Sequence, residues 1–318
     1  MKRDFLTFAD LTDDELRSLL DRAKALKEAR NARREVRTLA GRTLILLFEK
    51  ASTRTRLSFE AAIAQLGGHA ITLSPDHSQL GRGEPLADTA KVASRYCDAI
   101  MMRTFADERL AEFARNATVP VINGLTDGAH PVQVLADVFT IEERLGKLKG
   151  LTVAFIGDGS SNMARSFLEA APRFGFSLRV AAPKGYQPPP ELVHPQLCSV
   201  SDSPAKAALG ADVLVTDVWT SMGQEAEKAA RLAAFSGYCV DQALLERASP
   251  KAFVLHCLPA HRGEEITAEV LDGPRSAAWD EAENRLHVQK ALLETLVLAH
   301  ERALGIGAQR SPAAGVTA

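Results

Sequence analysis

The sequence predicts an α/β protein built as two domains, and three observations predict it. A chain of 318 residues is long for one small core. Apolar runs of strand length recur along it, each handing over through a polar turn to a stretch with helical periodicity. After Gly146-Lys-Leu-Lys-Gly150 that pattern starts afresh.

Taken in order, Asp10-Leu-Thr-Asp-Asp-Glu15 is a capped helix start, followed by the apolar stripe Leu16, Leu19, Leu20, Ala23 and Leu26. The basic run from Lys24 to Arg37 reads as a solvated helix face and the loop after it. Thr43–Phe48 is a buried strand, and Phe59, Ala62, Ile63 and Leu66 fall at i, i+3, i+4 and i+7 of the helix that follows. Between them stand Ser52, Thr53, Arg54, Thr55 and Arg56. A helix start presents unpaired N–H groups and the positive end of the macrodipole. Three hydroxyls and two guanidinium forks added there suit a phosphate or carboxylate better than a bare N-cap requires.

Ala70–Leu73 is a short strand, and Ser74–Pro85 is a long polar loop of the kind that carries function. Leu86–Arg95 is a helix. Ala99–Met102 is a strand that delivers Arg103 either to the end where open α/β sheets bind ligands or simply to solvent. After the strand Val119–Ile122, His130-Pro131-Val-Gln133 opens a helix carrying Val134, Leu135, Val138, Ile141 and Leu145. Pro131 suits its first position; His130 alone is a cap or a packed residue, while His130 and Gln133 together, projecting toward the same crevice, suit a carbonyl or an anion.

Leu151–Ile156 restarts the pattern. The next turn, Gly157-Asp-Gly-Ser-Ser-Asn162, resembles a dinucleotide fingerprint, but Asn162 stands where the third glycine belongs. The strand Leu178–Ala182 then ends in Ala-Pro-Lys, with no acid for a ribose hydroxyl. Rossmann-like geometry without a nicotinamide site follows, with the Asn162 amide left for a polar ligand. Tyr186–Pro190 is a stiff loop. Asp212–Val215 is a strand ending at Asp217-Val-Trp-Thr-Ser221-Met222-Gly223, where Asp217 either pairs with an ammonium or caps a turn. Phe253–Leu255 runs into His256-Cys257-Leu258-Pro259; Cys257 is a nucleophile or, the commoner case, a structural thiol. The last helix covers about Asp280–Ala303, with Leu286, Leu292, Leu293, Leu296 and Val297 apolar, and Gly305–Ala318 is expected to be disordered.

Composition narrows the function classes. Hydrophobic content of 46% and charged content of 25% are those of a soluble globular protein. A formal net charge of −2 leaves no basic footprint for nucleic acid. No apolar run approaches the roughly 18 residues of a membrane span, and the first twenty residues lack a signal-peptide core. Cys97, Cys198, Cys239 and Cys257 are scattered without a C-x-x-C pair, which fits reduced thiols in a cytoplasm and gives no metal framework.

Four motifs in order, from Phe48 to Arg285, resemble the aspartate/ornithine carbamoyltransferase family: Ser52-Thr-Arg-Thr-Arg56, His130-Pro-Val-Gln133, Asp217-Val-Trp-Thr-Ser-Met-Gly223 and His256-Cys-Leu-Pro-Ala260. The last two are similar to the ornithine branch. The resemblance implies two α/β domains, each with a central mainly parallel sheet flanked by helices, and substrates meeting between them. It divides the chain into 1–145, joined by the C-terminal helix at about 284–304, and 150–283. It implies that Ser52, Thr53, Arg54 and Thr55 hold the phosphate of carbamoyl phosphate, and that Arg103, His130 and Gln133 contact its carbamoyl end. Gln79 reaches a neighbouring subunit's site in a C3 trimer. Asn162, Asp217, Ser221 and Met222 hold ornithine, while Cys257, Leu258 and Arg285 complete the site.

Arg54, Arg103, His130, Asp217 and Cys257 are the residues it implicates in catalysis. The implied reaction, in arginine metabolism, gives L-citrulline and phosphate and needs neither cofactor nor metal. The Leu258–Pro259 bond is expected to be cis. Ser161 departs from relatives that have a second Asn there. A carbamoyltransferase for putrescine or N-acetylornithine is the neighbouring alternative, and a nicotinamide oxidoreductase or a non-catalytic relative the more distant ones.

Overall fold

The computed structural model describes residues 2–34, 36–74, 83–220 and 227–306. The chain divides into two compact units. The first gathers Met1–Leu6, Glu15–Gly124 and Gln289–Ala318, and the second Thr7–Asp14 and Leu125–Val288. The division falls at Gly124, before the expected change at Gly146–Gly150, because helix α5 (Pro131–Leu145) packs on α6 (Asn162–Phe174) of the second unit. The expected tail lies largely outside the described residues. Among the described residues no helix is long and apolar enough to cross a membrane.

In the first unit, β1 (Thr43–Phe48), β2 (His69–Leu73), β3 (Ala99–Arg103) and β4 (Val121–Leu125) form a sheet in the order β2-β1-β3-β4. β1 is parallel to both neighbours, with Phe48 opposite Arg103. Strands buried on both faces read as unbroken apolar runs, which is why Leu44-Ile-Leu-Leu-Phe48 was legible. Helix α1 (Asp13–Asn31) buries Leu16, Leu19, Leu20, Ala23 and Leu26. α2 (Thr53–Gln65) follows β1 and buries Phe59, Ala62 and Ile63; α3 (Leu86–Ala93) is two residues shorter than expected. The sequence reading passed over α4 (Asp107–Asn116), whose stripe is only Leu110, Phe113 and Ala114.

In the second unit, β5 (Thr152–Ile156), β6 (Ser177–Ala181), β7 (Cys198–Ser201), β8 (Val213–Thr216) and β9 (Phe253–His256) form a parallel sheet in the order β7-β6-β5-β8-β9. β7 and the short helices α7 (Pro204–Ala208), α8 (Lys228–Ala234), α9 (Gln242–Arg247) and α10 (Ala268–Leu271) also escaped the sequence reading. Cys198-Ser-Val-Ser201 has no apolar run to announce a strand, and each of these helices spans two turns or fewer. The last helix, α11 (Ala278–Ala303), belongs to the second unit through Val288 and to the first from Gln289.

Both sheets place their first strand, β1 or β5, inside the order, with later strands added on either side. The connections leaving such a strand and its neighbour part at the C-terminal ends, and open α/β sheets bind ligands there. The motifs singled out in the sequence cluster at those ends.

Candidate active site

At the C-terminal end of β1, Ser52 is the N-cap of α2 in an extended conformation, and its hydroxyl accepts from Thr55 N at 3.4 Å. Thr55 is buried, Thr53 exposed and Arg54 half-buried in the first turn. Arg54 has no carboxylate partner among the described residues. Arg56, counted with it as an anion donor, is paired with Glu60 at 2.9 Å along the helix. The turn before the cap is fixed by Glu49. Its backbone N donates to the Arg103 carbonyl at 2.8 Å, and its carboxylate accepts from Arg109 Nε at 2.8 Å and from the Thr104 hydroxyl. Burial works to raise the Glu49 pKa, but these donors outweigh it and hold the group below its usual range. Arg103 ends β3 beside Phe48, so the strand pairing itself sets it next to the capped turn. Gln79 lies outside the described residues.

In the second unit, His130 is the N-cap of α5, with its backbone N donating to Ser166 Oγ at 2.8 Å. Gln133, one turn on, is fully buried. Its Nε2 donates at 2.8 Å to both Asp137 Oδ1 and Glu281 Oε1, and its Oε1 accepts from Arg285. Glu281 Oε2 in turn accepts from His256 N at 2.8 Å, so α5 and α11 are bonded to the end of β9. Burial pushes the carboxyls of Asp137 and Glu281 up, and each is linked to the other. Arg285 is one cation against two carboxylates, and the pair retains a proton.

Asp217 and Cys257 follow Thr216 and His256, which are opposite one another in the β8–β9 register. Cys257 Sγ donates to Asp217 Oδ1 at 3.1 Å, and Val218 N donates to the same oxygen at 2.8 Å. Burial raises the Asp217 pKa, and burial together with Asp217 and Glu281 raises that of Cys257 well above the ordinary thiol. A thiol held protonated is a poor nucleophile, and Cys257 stands here as a hydrogen-bond donor to Asp217. His256 Nδ1 accepts from Leu258 N at 2.9 Å, which leaves Nε2 as the donor to Glu265 Oε1 at 3.1 Å. Leu258 has a left-handed φ of 57°, and the Leu258–Pro259 bond is cis as expected. Ser221 and Met222 lie outside the described residues.

Ligand atoms of Asp217, His256 and Cys257 lie within 4.8 Å of one another, as do those of His261, Glu264 and Glu265. Both nitrogens of His256 and the thiol are already committed to hydrogen bonds, so the first trio reads as a bonded chain rather than a metal cradle. The Gly157–Asn162 turn is also filled. A Cβ on Gly159 would stand 2.8 Å from Pro188 Cδ, where a pyrophosphate would need to approach. Asp158 is bonded to Ser160 and to Arg231, whose Nη1 also donates to the Trp219 carbonyl. Asn162 Nδ2 donates to the Thr126 carbonyl at 2.8 Å.

Two family models match the chain. One, described as the aspartate/ornithine carbamoyltransferase carbamoyl-P binding domain, covers residues 3–143. The other, the Asp/Orn binding domain of the same family, covers 149–296. The chain belongs to the aspartate/ornithine carbamoyltransferase family. Within the family it is 56% identical over 299 residues to an ornithine carbamoyltransferase of Herminiimonas arsenicoxydans, covering 92% of this chain and 97% of the relative. It is 55% identical to an anabolic ornithine carbamoyltransferase of Pseudomonas aeruginosa, at 93% and 97% coverage. Among solved structures, ornithine carbamoyltransferase from Pyrococcus furiosus matches with a TM-score of 0.89 at 46% identity, covering 94% of this chain and 97% of that one. The enzyme from Burkholderia thailandensis matches with 0.86 at 47% identity, at 94% and 99% coverage.

The sequence missed Asp137, Glu281 and Glu265, which hold the family motifs in place. Asp137 had a visible signal: a carboxylate one turn after Gln133 in a helix whose neighbouring positions are apolar. Glu281 had none, since an acid in the first turn of a helix is ordinary capping chemistry.

Proposed function

We propose that the chain transfers the carbamoyl group of carbamoyl phosphate to the δ-amine of L-ornithine, giving L-citrulline and phosphate in arginine biosynthesis. The observation that carries this reading is Asp217: a partly buried carboxylate at the joined ends of β8 and β9, bonded to a neutral thiol and to no cationic side chain among the described residues. Burial raises its pKa, so an ammonium group is the partner that would restore its charged form. Ornithine supplies one on its α-carbon. The anabolic relative supports a biosynthetic role.

The phosphate is assigned to Ser52, Thr53, Arg54 and Thr55, where the helix end and the Arg54 fork complement its charge. The carbamoyl group is assigned to Arg103, His130 and Gln133. Both amide hydrogens of Gln133 are spent on carboxylates, so its contribution is the remaining Oε1 lone pair, which accepts from the carbamoyl NH2. Arg285 and the Leu258 turn hold Gln133 and Cys257 in place. Asn162, Asp217, Ser221 and Met222 are assigned to ornithine. The δ-ammonium loses its proton, since without a lone pair it cannot attack. The amine adds to the carbamoyl carbon, Thr55, Arg103 and His130 stabilise the oxyanion, and the C–O bond to phosphate then breaks as the departing phosphate takes a proton from the attacking nitrogen. The donor carries its own leaving group, so no cofactor or metal is invoked. A cytoplasmic homotrimer in which Gln79 serves a neighbouring subunit is part of the same proposal.

The test is to incubate the protein with carbamoyl phosphate and, separately, L-ornithine, L-aspartate, putrescine and N-acetyl-L-ornithine, measuring phosphate and ureido product. Citrulline from ornithine alone is expected. Product from another amine would overturn the assignment of Asp217, and no product from any amine would overturn the reaction.

A further inference from the structure

The basic run between Lys24 and Arg37 plays no part in the proposed reaction. Helix α1 ends in a Schellman turn, with Arg34 N donating to the Ala29 carbonyl at 2.8 Å and Arg33 N to the Arg30 carbonyl at 3.0 Å. The left-handed position of that turn, usually glycine, is held by Arg33 at φ 57°. Arg30, Arg33, Arg34 and Arg37 line a cavity of about 450 Å³, together with Lys290 of α11 and Gln65 at the end of α2.

Lys290 is only 4% exposed, and its ammonium donates to Gln65 Oε1 at 3.2 Å. Burial pulls its pKa down, helped by Arg30 and Arg22 and opposed by Glu294. The described lining residues include no carboxylate. Five cations around one concavity repel one another and focus a positive field into it, and the buried ammonium, held by one amide oxygen, draws its counter-charge from Glu294, a carboxylate already paired with Arg22. The volume is within the roughly 300–1,000 Å³ of small-ligand sites.

We propose that this cavity binds a compact polyanion carrying two or three phosphate groups. The arginine forks match phosphate oxygens bidentately, and Lys290 supplies a point charge from the wall of the cavity. Inorganic polyphosphate and nucleoside polyphosphates share this chemistry. The site is separate from the Ser52–Thr55 turn, so its test must tell the two apart.

The experiment is calorimetric titration with tripolyphosphate and with ATP at low and higher salt, on the parent, Arg54→Ala and the double variant Arg33→Gly/Arg37→Ala. Glycine suits the left-handed position, so Arg33→Gly removes a charge from the cavity without a folding penalty, and a melting curve at or above the parent's would confirm that. One equivalent of tripolyphosphate is expected to persist in Arg54→Ala and to weaken about tenfold or more in the double variant. Salt should weaken it further. Equal binding of ATP assigns the site to the phosphate chain alone, and tighter binding of ATP assigns it to a nucleoside polyphosphate; both support the proposal. Binding that is lost in Arg54→Ala, unchanged in the double variant or absent altogether would overturn it.

Discussion

Arg231→Met tests whether the second unit depends on a buried ion pair to hold its Asp217 segment. Arg231 is 5% exposed; its Nη1 donates to Asp158 Oδ2 at 2.7 Å and to the Trp219 carbonyl at 2.9 Å, and the guanidinium lies 5.0 Å from the Tyr186 ring centroid. Methionine keeps much of the stem's packing but strands the carboxylate. Breaking one side of a buried pair costs about 3–5 kcal/mol. Asp158 would keep its two bonds from Ser160, at 2.9 Å and 2.7 Å, which places the loss at the low end of that range. The exposed partner of Arg231, Glu227, adds little.

A loss of about 3 kcal/mol lowers the melting temperature by roughly 6–12 °C for a domain of this size. Urea unfolding followed by tryptophan fluorescence is the assay, because Trp219 is stacked 5.4 Å from Phe235 beside the altered site while Trp279 is exposed. Asp158→Asn combined with Arg231→Met removes both charges and should recover a large part of the loss. Because Trp219 is two residues from Asp217, the single variant should also raise the ornithine KM. A single variant within about 0.5 kcal/mol of the parent, or a double variant no better than the single, would refute the reasoning.

Arg54→Ala should lower turnover by about 10²–10³-fold, the typical cost of losing one charge-stabilising donor, and near-parental turnover would remove Arg54 from the phosphate site. Asp217→Asn should raise the ornithine KM or lower kcat while calorimetry shows carbamoyl phosphate binding intact; equal loss of both ligands would contradict the division of roles. Asp137 and Glu281 both have raised folded-state pKa values, so their contribution to stability is complete below the usual carboxylate range, about pH 4, and is lost as pH climbs through the elevated values. Urea midpoints of the parent should therefore fall as pH rises through that window, and Glu281→Gln should flatten the slope; an unchanged slope would disprove the shared proton. Cys257, held as a thiol, should react slowly with iodoacetamide near neutral pH, and rapid alkylation would count against the raised pKa.

The strands and turns that position the site were legible because their chemistry is local. Leu44-Ile-Leu-Leu-Phe48 reads as a buried strand, and Ser52 three residues before Thr55 is a cap whether or not a ligand arrives. Arg56 was misjudged for the same local reason: its partner Glu60, one turn along, competes with any anion. What could not be read was the set of bonds across long sequence separations. Gln133 to Glu281 and His256 to Glu281 tie three elements that no periodicity relates. The short helices α7 to α10 were invisible because helices of two turns or fewer owe their existence to tertiary packing rather than to propensity. The basic run was seen but not its shape, since a concavity that needs Lys290 has no signature in residues 24–37.

The first unit is not continuous along the chain: its core waits for Gln289 onward, where Glu294 meets Arg22 and Glu301 meets Arg42. A ribosome adding roughly 5–20 residues per second needs on the order of ten seconds to make the intervening stretch. During that interval the capped turn at Ser52 exists without the helix that closes its unit, and the second unit reaches its last residue first. The part of the protein synthesised earliest is thus completed last, and a nascent chain stalled before residue 289 leaves Arg22 and Arg42 without Glu294 and Glu301.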